Sequence, residues 1–418
     1  MNTSAVSHIQ GWAPRCLIVP DVFDTPTSAT VPPRADGLTP VELRWNDERL
    51  ISVRLLQDSS GVPEHLLLPR LVEPHAHLDK AFTWEQAPNL EGTYSGALTA
   101  NLAEHQTRTT AQVRDRAERA LQQAFRHGLR AMRSHIDSLG PGADCSWEAL
   151  LDAQSSWRER IALQLVALLP IEHWSTTAGQ ALAQRVAASG GLLGGVLVPP
   201  CRGRSPRRAL THMLRLAEQL GCGIDLHIDE AQTRPGEGLL QLLHVLDRNP
   251  VQVPITCSHA SSLALLPPRR LRRVIARMAA HNLQVVALPL TNGWLLGRQA
   301  RCSPLVRPLA PILQLQQGGV RVAVGGDNVQ DPWFPGGNFD PLALMSQSLP
   351  LAQLAPWDRL GLMPFTTEAA RVLELPWDGT LQRGAPADLL ILKASTWSET
   401  FSQTPSRQLV VRGAFQPD

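Results

Sequence analysis

Two histidines, His75 and His77, are separated by a single residue in an apolar segment of the chain. In a β-strand, residues two positions apart project from the same face, so both imidazoles can bind one metal ion. His227, His259 and Asp327 each end or closely follow another apolar run. Nitrogen ligands together with a carboxylate suit Zn²⁺ or Fe²⁺ and leave a coordination position for water. The set predicts a catalytic metal site, because ligands from several separate strands fit an open site better than a structural one.

Glu230 is a candidate proton carrier for this site. A bound metal can lower the pKa of water to about 7, but hydrolysis also needs a group that moves protons. Glu230 lies three residues after His227 in the segment DLHIDE, just beyond the end of a predicted strand. The chain's only lysines, Lys80 and Lys393, lie far from the fourth apolar run, which excludes a carbamylated lysine from that strand as a bridge between two metals. We therefore expect a single metal ion.

The elements that must position these residues repeat along the chain. Short apolar runs recur roughly every thirty residues, each followed by a longer stretch with helical periodicity. Eight such βα units close most simply into a (βα)8 barrel, an α/β fold of the TIM type whose chemistry lies at the carboxyl ends of the strands. The predicted strands are 71–77, 129–135, 162–169, 192–198, 223–227, 254–259, 284–290 and 320–325.

Several local signals mark helices. Ser205 followed by Pro206 predicts a helix N-terminus, and Thr366 and Thr367 predict another. The connection 80–123 is longer than a usual βα loop and must carry a helix around TANLAEHQ, which we interpret as part of a lid.

The two ends of the chain differ from the middle. They contain short β-like runs such as VELRW, LISVRLL, ADLLIL and QLVVRG. A length of 418 residues allows one large domain with a smaller satellite. We therefore predict a small β-sandwich domain from residues 1–68 and 378–418, and a metal-dependent hydrolase barrel over residues 69–377.

Composition narrows the range of partners. The formal net charge is only +2, and we interpret the basic stretch 269–277 as the solvent side of a helix, so no nucleic-acid partner is expected. The six cysteines are scattered singly and are expected to be reduced thiols. No signal peptide or membrane-spanning segment is evident, which indicates a cytoplasmic protein that does not bind membranes. Assembly into a homo-oligomer stays open.

Several segments resemble the cytosine deaminase branch of the amidohydrolase superfamily. They are EPHAHLDKAF at 73–82, LQLVALLP at 163–170, DLHIDE at 225–230, CSHASSL at 257–263, GGDNVQDPWFPGG at 325–337 and GAPADLLIL at 384–392. The resemblance spans the whole predicted barrel and continues into the C-terminal sheet segment. It implies a metal-dependent deaminase that converts cytosine or a related aminopyrimidine to the oxo product and ammonia.

The resemblance also implies roles for individual residues. The metal ligands would be His75, His77, His227 and Asp327. Glu230 would move the proton, and His259 would hydrogen-bond the attacking hydroxide that Asp327 helps to steer. Gln164 would bind the polar edge of the heterocycle, and Trp333 would close over its face.

Two positions depart from cytosine deaminase. Lys80 follows Asp79 where that enzyme has an uncharged residue, and Asn328 follows Asp327 where it has an aspartate. Lysine favours a ring that bears negative charge or several carbonyl oxygens, and asparagine both donates and accepts hydrogen bonds. The pair resembles the isopropylammelide isopropylamidohydrolases, so removal of an alkylamine from a hydroxylated triazine is an alternative activity.

Two other functions fit the same fold. They are cyclic amide hydrolysis and a catalytically inactive binding protein, and both stay open. We expect Asp79 and Asp137 to hold neighbouring groups in place. Six histidines outside the motifs are interpreted as surface or packing residues: His65, His105, His127, His212, His244 and His281.

Overall fold

The computed structural model describes residues 6–21, 32–299 and 301–417. Contacts divide the chain into two compact units. One comprises residues 1–72, 124–130 and 340–418, and the other comprises 73–123 and 131–339. Among the described residues, none of the helices is both long enough and apolar enough to cross a bilayer.

The strands of the described chain run in the following order. They are β1 Ser7–Pro14, β2 Leu38–Asn46, β3 Arg49–Leu55, β4 Leu66–Pro69, β5 Leu71–Ala76, β6 Leu129–Asp137, β7 Ala162–Leu168, β8 Leu192–Leu197, β9 Ile224–Ile228, β10 Ile255–His259, β11 Gln284–Ala287, β12 Arg321–Val324, β13 Leu389–Leu392, β14 Arg407–Val411 and β15 Ala414–Phe415.

The α-helices of the described chain follow the same order. They are α1 Tyr94–His105, α2 Thr110–Arg126, α3 Ala143–Trp157, α4 Thr177–Ala188, α5 Arg204–Leu220, α6 Glu237–Leu246, α7 Pro268–Ala280, α8 Pro289–Leu295, α9 Ile312–Gln317, α10 Pro341–Ala352, α11 Arg359–Leu362, α12 Thr367–Val372 and α13 Trp397–Ser402.

Strands β5 to β12 form one eight-stranded sheet in chain order, and the paired strands run parallel. A parallel bridge between Ala76 and Asp327 joins the first strand to the segment after the last one and nearly closes the barrel. All eight strands predicted from the apolar runs are present, and the helix predicted around TANLAEHQ is α1. The (βα)8 prediction is confirmed.

Some predicted boundaries were wrong. The seventh strand ends at Ala287 instead of Leu290, because Pro289 occupies the first turn of α8 and has no backbone N–H to donate to a sheet. Helix α5 begins at Arg204, so Ser205 lies inside the first turn and Gly203 takes the N-cap position. Glycine offers no side-chain oxygen at a cap, which is why the sequence signal pointed to Ser205, two residues later.

The N- and C-terminal strands form a seven-stranded sheet in the order β15-β14-β13-β4-β1-β2-β3. The predicted second sheet from the two chain ends is confirmed. Its alternating apolar residues pack into one core, where Leu43, Val53, Leu67, Leu389 and Val410 are fully buried. Sequence-distant segments therefore supply one hydrophobic cluster of this unit.

Candidate metal centre and active site

The strand ends bring the five candidate metal-site residues together. Asp327 Oδ1 lies 3.2 Å from His77 Nε2 and 3.5 Å from His75 Nε2, and the Nε2 atoms of His77 and His227 are 3.4 Å apart. Ligands about 2.0–2.2 Å from one ion lie roughly 3–4 Å from each other. The spacing therefore fits one ion at the centre of the group. His259 approaches the same group, since a ligand atom of His259 lies within 4.8 Å of ligand atoms on His75 and His227.

Orphaned atoms support this fit. His75 Nε2 and both carboxylate oxygens of Asp327 are buried and have no well-formed hydrogen bond within the described part of the chain. Leaving buried polar atoms without partners is costly, so such atoms at one point indicate a missing partner. A divalent cation would satisfy all three at once.

The protonation states suit metal ligands. Burial, reinforced by the neighbouring histidines, holds the pKa values of His75 and His227 well below the ordinary range, so both imidazoles are neutral. Burial alone would raise the pKa of Asp327, but the contacts with His77 and His259 outweigh it and lower that pKa. At neutral pH the cluster therefore offers neutral nitrogen donors and one ionised carboxylate.

A hydrogen-bonded chain fixes the orientation of His75. Its Nδ1 lies 3.0 Å from Ser258 Oγ, which donates to Asp225 Oδ1 at 2.6 Å. Arg133 Nη1 donates to the other Asp225 oxygen at 2.8 Å. His75, His135 and Asp225 also have metal-like spacing, but the Arg133 guanidinium already compensates Asp225, which disfavours a cation there. These contacts leave Nε2 of His75 to face the candidate metal.

Glu230 and His259 lie side by side and share a partner that the sequence analysis missed. His259 Nδ1 is 3.4 Å from Glu230 Oε1, and Asn292 Nδ2 lies 3.0 Å from His259 Nδ1 and 3.3 Å from Glu230 Oε1. An amide that donates to Nδ1 places the imidazole proton on Nε2. Burial lowers the pKa of His259 to about 4, and burial together with the charge of Asp327 raises the pKa of Glu230 well above its usual value. Glu230 can therefore hold and deliver a proton.

The backbone is strained at three residues that lie at or just after the carboxyl ends of barrel strands. Asp229, His259 and Asp327 have φ values of +55°, +69° and +65°, in the left-handed region that non-glycine residues rarely adopt. Beneath Asp327, the buried carboxylate of Glu73 accepts hydrogen bonds from the backbone N–H groups of His75 and Gly326, each at 3.0 Å. Sequence periodicity carries no signal for either feature.

Lys80 lies beside the metal cluster in a fixed position. Its Nζ donates to Asp137 Oδ1 at 2.8 Å, and Asn101 of α1 donates to Asp137 Oδ2 at 3.1 Å. Burial alone would lower the pKa of Lys80, but the charges of Asp137 and Asp79 outweigh it and raise that pKa. Lys80 is therefore a buried ammonium group at the edge of the site.

Arg108 forms the centre of a buried charge network under Lys80. Its guanidinium donates to Asp79 at 2.8 Å and to Glu104 at 2.6 Å, while Arg116 donates to Glu104 at 2.7 Å. Asp79 also accepts the backbone N–H of Asp137 at 2.9 Å. Asp79 and Asp137 were expected to hold neighbouring groups in place, and in the structure Asp137 binds Lys80 and Asn101 of α1 while Asp79 binds Arg108. The ion pairs of these two carboxylates are with Lys80 and Arg108, and not with the histidine ligands.

A cavity of about 460 Å³ opens over the cluster. Its polar wall includes His77, His227, His259, Glu230, Asp327, Asn328, Lys80 and Asp137. Its apolar wall is formed by Tyr94, Leu98, Leu102, Leu139, Leu168, Leu169, Val196, Val198 and Trp333. A flat, partly apolar molecule with polar edges would complement this lining.

Gln164 lies outside this cavity. It is the third residue of β7, and its Oε1 accepts hydrogen bonds from Arg133 at 3.1 and 3.2 Å. The cavity is lined instead by Leu168, the last residue of β7, and by Leu169, which follows it. The expected contact between Gln164 and the heterocycle is not supported by this placement, because the residue lies near the start of its strand and not at the carboxyl end.

The other expected substrate contacts do line the cavity. Asn328 Nδ2 donates to Asp331 Oδ2 at 2.7 Å. Trp333 packs edge-on against Tyr94 with ring centroids 5.0 Å apart, and Lys80 Nζ lies 6.0 Å from the Trp333 ring. The site thus carries an aromatic corner next to a cation.

His105 packs in the interior, as the sequence analysis interpreted it, and it also lines the cavity, which the sequence analysis did not predict. Its buried ring lines the wall, Nδ1 accepts the backbone N–H of Gly142 at 3.3 Å, and Nε2 has no partner among the described residues. Only the position of α1 brings it there, so no local motif could reveal it.

A (βα)8 barrel whose strand ends carry an open group of histidines and a carboxylate defines a class of metal-dependent hydrolases. Sequence comparison gives the family. The sequence model of the Amidohydrolase family matches residues 91–414. The chain therefore belongs to the amidohydrolase family and is a hydrolytic enzyme that acts on carbon–nitrogen bonds.

Individual relatives agree with this assignment. A pterin deaminase from Rhizobium rhizogenes (strain K84 / ATCC BAA-868) is 33% identical over 352 residues, which cover 83% of this chain and 79% of that protein. The N-isopropylammelide isopropyl amidohydrolase of Pseudomonas sp. (strain ADP) is 24% identical, covering 81% and 82%. The crystal structure of a 5-methylcytosine deaminase from Klebsiella pneumoniae liganded with phosphonocytosine has a TM-score of 0.79 at 24% identity, covering 90% and 94%, which supports the fold.

Proposed function

We propose that this enzyme is a deaminase that hydrolyses the exocyclic C–N bond of an aminated, oxo-substituted nitrogen heterocycle. The observation that carries the proposal is the common exposure of Glu230, His259 and Asp327 to one cavity with a largely apolar wall. The cysteines play no part, since all six are free and none lines this cavity.

Within this proposal, residues 69–377 form the catalytic domain and residues 1–68 with 378–418 form the accessory domain.

The metal would be Zn²⁺ or Fe²⁺, held by His75, His77, His227 and Asp327. When bound, it would make water a nucleophile near neutral pH. His259 would orient that water through Nε2–H, because Asn292 occupies its Nδ1.

Glu230 would carry the proton. It would take a proton from the attacking water and give it to a ring nitrogen, while the oxygen adds to the carbon that bears the amine. A second transfer through Glu230 would protonate the amine, which leaves as ammonia while the carbonyl group forms. Lys80 would donate a hydrogen bond to a ring carbonyl oxygen, and Trp333 would pack on the ring face.

The size of the cavity favours a fused two-ring substrate over the single aminopyrimidine that the sequence analysis favoured. A single pyrimidine ring would fill less of the 460 Å³ cavity, whose wall includes Leu98, Leu102 and Leu139, than a two-ring molecule would. His105 adds a polar group to this wall, and the relative with 33% identity is named a pterin deaminase. A substrate that fills an apolar site poorly binds with lower affinity, so we expect a higher KM for a one-ring substrate than for a two-ring substrate.

A second candidate is removal of an alkylamine from a hydroxylated triazine. The same leucines could contact an alkyl group, and a relative with 24% identity is named for that reaction. The test is amine release by protein purified without chelator, with pterin, cytosine, ammelide and N-isopropylammelide assayed in parallel. Highest kcat/KM with pterin is expected. Turnover of N-isopropylammelide alone would replace the first candidate by the second, and turnover of none would reject both.

A further inference from the structure

A second cavity, of about 420 Å³, lies among helices α5, α6 and α7 on the outside of the barrel. Arginines dominate its lining: Arg202, Arg207, Arg234, Arg270 and Arg277. Glu237 is the only acidic residue in the described wall of this cavity. None of its lining residues belongs to the proposed catalytic site.

The fold concentrates positive charge at this place. Helices α5 and α7 carry nine arginines and one acidic residue between them, although the whole chain has a net charge of only +2. Both helices pack against α6. The basic stretch 269–277 therefore faces solvent, as interpreted from the sequence, but it does so beside the arginines of α5.

Only part of this charge is compensated. Glu237 pairs with Arg202, accepts the backbone N–H of Cys201 at 2.8 Å and lies 3.9 Å from Arg234. Arg277 pairs with Asp247 at 2.6 Å. Two carboxylates thus face five guanidinium groups.

The uncompensated guanidinium groups belong to Arg207 and Arg270. Arg207 is held by neutral partners, since its Nε donates to Gln241 Oε1 at 2.7 Å and its Nη1 lies 3.2 Å from His244 Nε2. Arg270 is exposed, and its guanidinium group makes no ion pair or hydrogen bond within the described residues. Guanidinium groups bind oxyanions through paired N–H donors, which makes them suited to phosphate.

We propose that this cavity binds a small multivalent phosphate anion, either free or as the phosphate group of a small ester. A concave pocket bounded by three helices suits a compact ligand better than an extended polyanion, whose backbone would need a continuous basic groove. The proposal is independent of the catalytic site and of its substrate.

The test is isothermal titration calorimetry of the full-length metal-loaded protein with sodium pyrophosphate at low ionic strength, where such binding is least screened. Arg270→Gln and its neighbour on the same helix, Arg272→Gln, form a matched pair. Arg207→Gln and Arg215→Gln form a second pair on α5, and Arg215 and Arg272 do not line the cavity. Thermal melts confirm folding, and the exposed Arg270 keeps the test valid if Arg207→Gln unfolds the protein.

We expect saturable binding by the wild type. Loss of one charge-assisted contact should weaken it about tenfold in Arg270→Gln and in Arg207→Gln, with little change in the controls. ADP titrated in parallel distinguishes the two sources of phosphate. Tighter binding of ADP would indicate a phosphate ester, tighter binding of pyrophosphate would indicate a free anion, and either result supports the site. No saturable binding, equal weakening in Arg272→Gln, or binding of a single-stranded RNA oligonucleotide but not of pyrophosphate would overturn the proposal.

Discussion

The backbone N–H of Asp327 donates to the carbonyl oxygen of His75 at 3.0 Å. This hydrogen bond accompanies the bridge that nearly closes the barrel, and it places two candidate metal ligands with their side chains 3.5 Å apart. The contact that nearly closes the barrel therefore also brings two candidate metal ligands together.

This coupling predicts that metal removal destabilises the fold. An ion that binds only the folded state adds about 2.7 kcal/mol at a free concentration one hundred times its Kd, so a chelator should lower the Tm of the wild type. Asp327→Asn keeps the backbone contact but loses the charge, and its Tm should respond much less. Differential scanning calorimetry with and without chelator measures both, and equal shifts in the two proteins would contradict the coupling.

Lys80 should act on substrate binding. Replacing Lys80 by Met removes a charge-assisted hydrogen bond and should raise KM roughly tenfold to a hundredfold for oxo-substituted rings. Metal content should not change, because Lys80 binds Asp137 and no histidine. Steady-state kinetics together with elemental analysis check this, and an unchanged KM would remove Lys80 from the binding site.

His105 should distinguish two-ring from one-ring substrates. His105→Phe keeps an aromatic ring in the space beside Gly140 and Gly142, but it removes both the unpartnered Nε2 and the Nδ1 that accepts the backbone N–H of Gly142. We expect kcat/KM to fall about tenfold for pterin and to stay unchanged for cytosine. A loss that is the same for both substrates would indicate a structural role.

Arg108 should dominate stability around α1. Arg108→Gln leaves Asp79 and Glu104 buried with too little positive charge and should cost about 3–5 kcal/mol. Arg114→Gln removes an exposed ion pair with Asp152 and should cost less than about 1 kcal/mol. Denaturant unfolding measures the loss in the free energy of unfolding for both variants. Equal losses would show that the buried network contributes no more to stability than one exposed ion pair.

The same network sets a pH dependence. Burial alone would raise the pKa of Glu104, but Arg108 and Arg116 outweigh it and lower that pKa. A carboxyl whose pKa is lowered on folding contributes stability above its unfolded pKa of about 4.3 and loses it as the pH falls through the folded pKa. The free energy of unfolding should therefore fall as the pH drops below the unfolded pKa of about 4.3, and it should fall less steeply in Arg108→Gln.

The sequence predicted those features that depend on local periodicity. Two-residue spacing predicted that His75 and His77 serve one site, and both Nε2 atoms lie near Asp327 although β5 ends at Ala76, one residue before His77. The repeat of apolar runs located all eight barrel strands. The same periodicity does not state how far along a strand a side chain lies relative to the cavity. Gln164 shows this, since it lies near the start of β7 and bonds to Arg133.

Other features depend on contacts between distant segments and left no local signal. Asn292 reaches Glu230 across 62 residues of sequence, and His105 enters the cavity only because α1 lies over it. The arginines of the outer cavity come from helices α5 and α7 and from the loops before α5 and α6, so the single stretch 269–277 could not reveal them. These residues become visible only when the tertiary arrangement is known.

The most direct test of the account is replacement of Glu230 by Gln, with kcat and metal content measured on the same preparation. The carboxyl group lies beside the candidate metal and Gln keeps its shape, so we predict that about one equivalent of metal stays bound while kcat falls by roughly 10²–10⁴. The exposed Glu374→Gln serves as the control and should be unchanged. Full activity in Glu230→Gln with metal bound would contradict the assignment of proton transfer to Glu230 and with it the proposed mechanism.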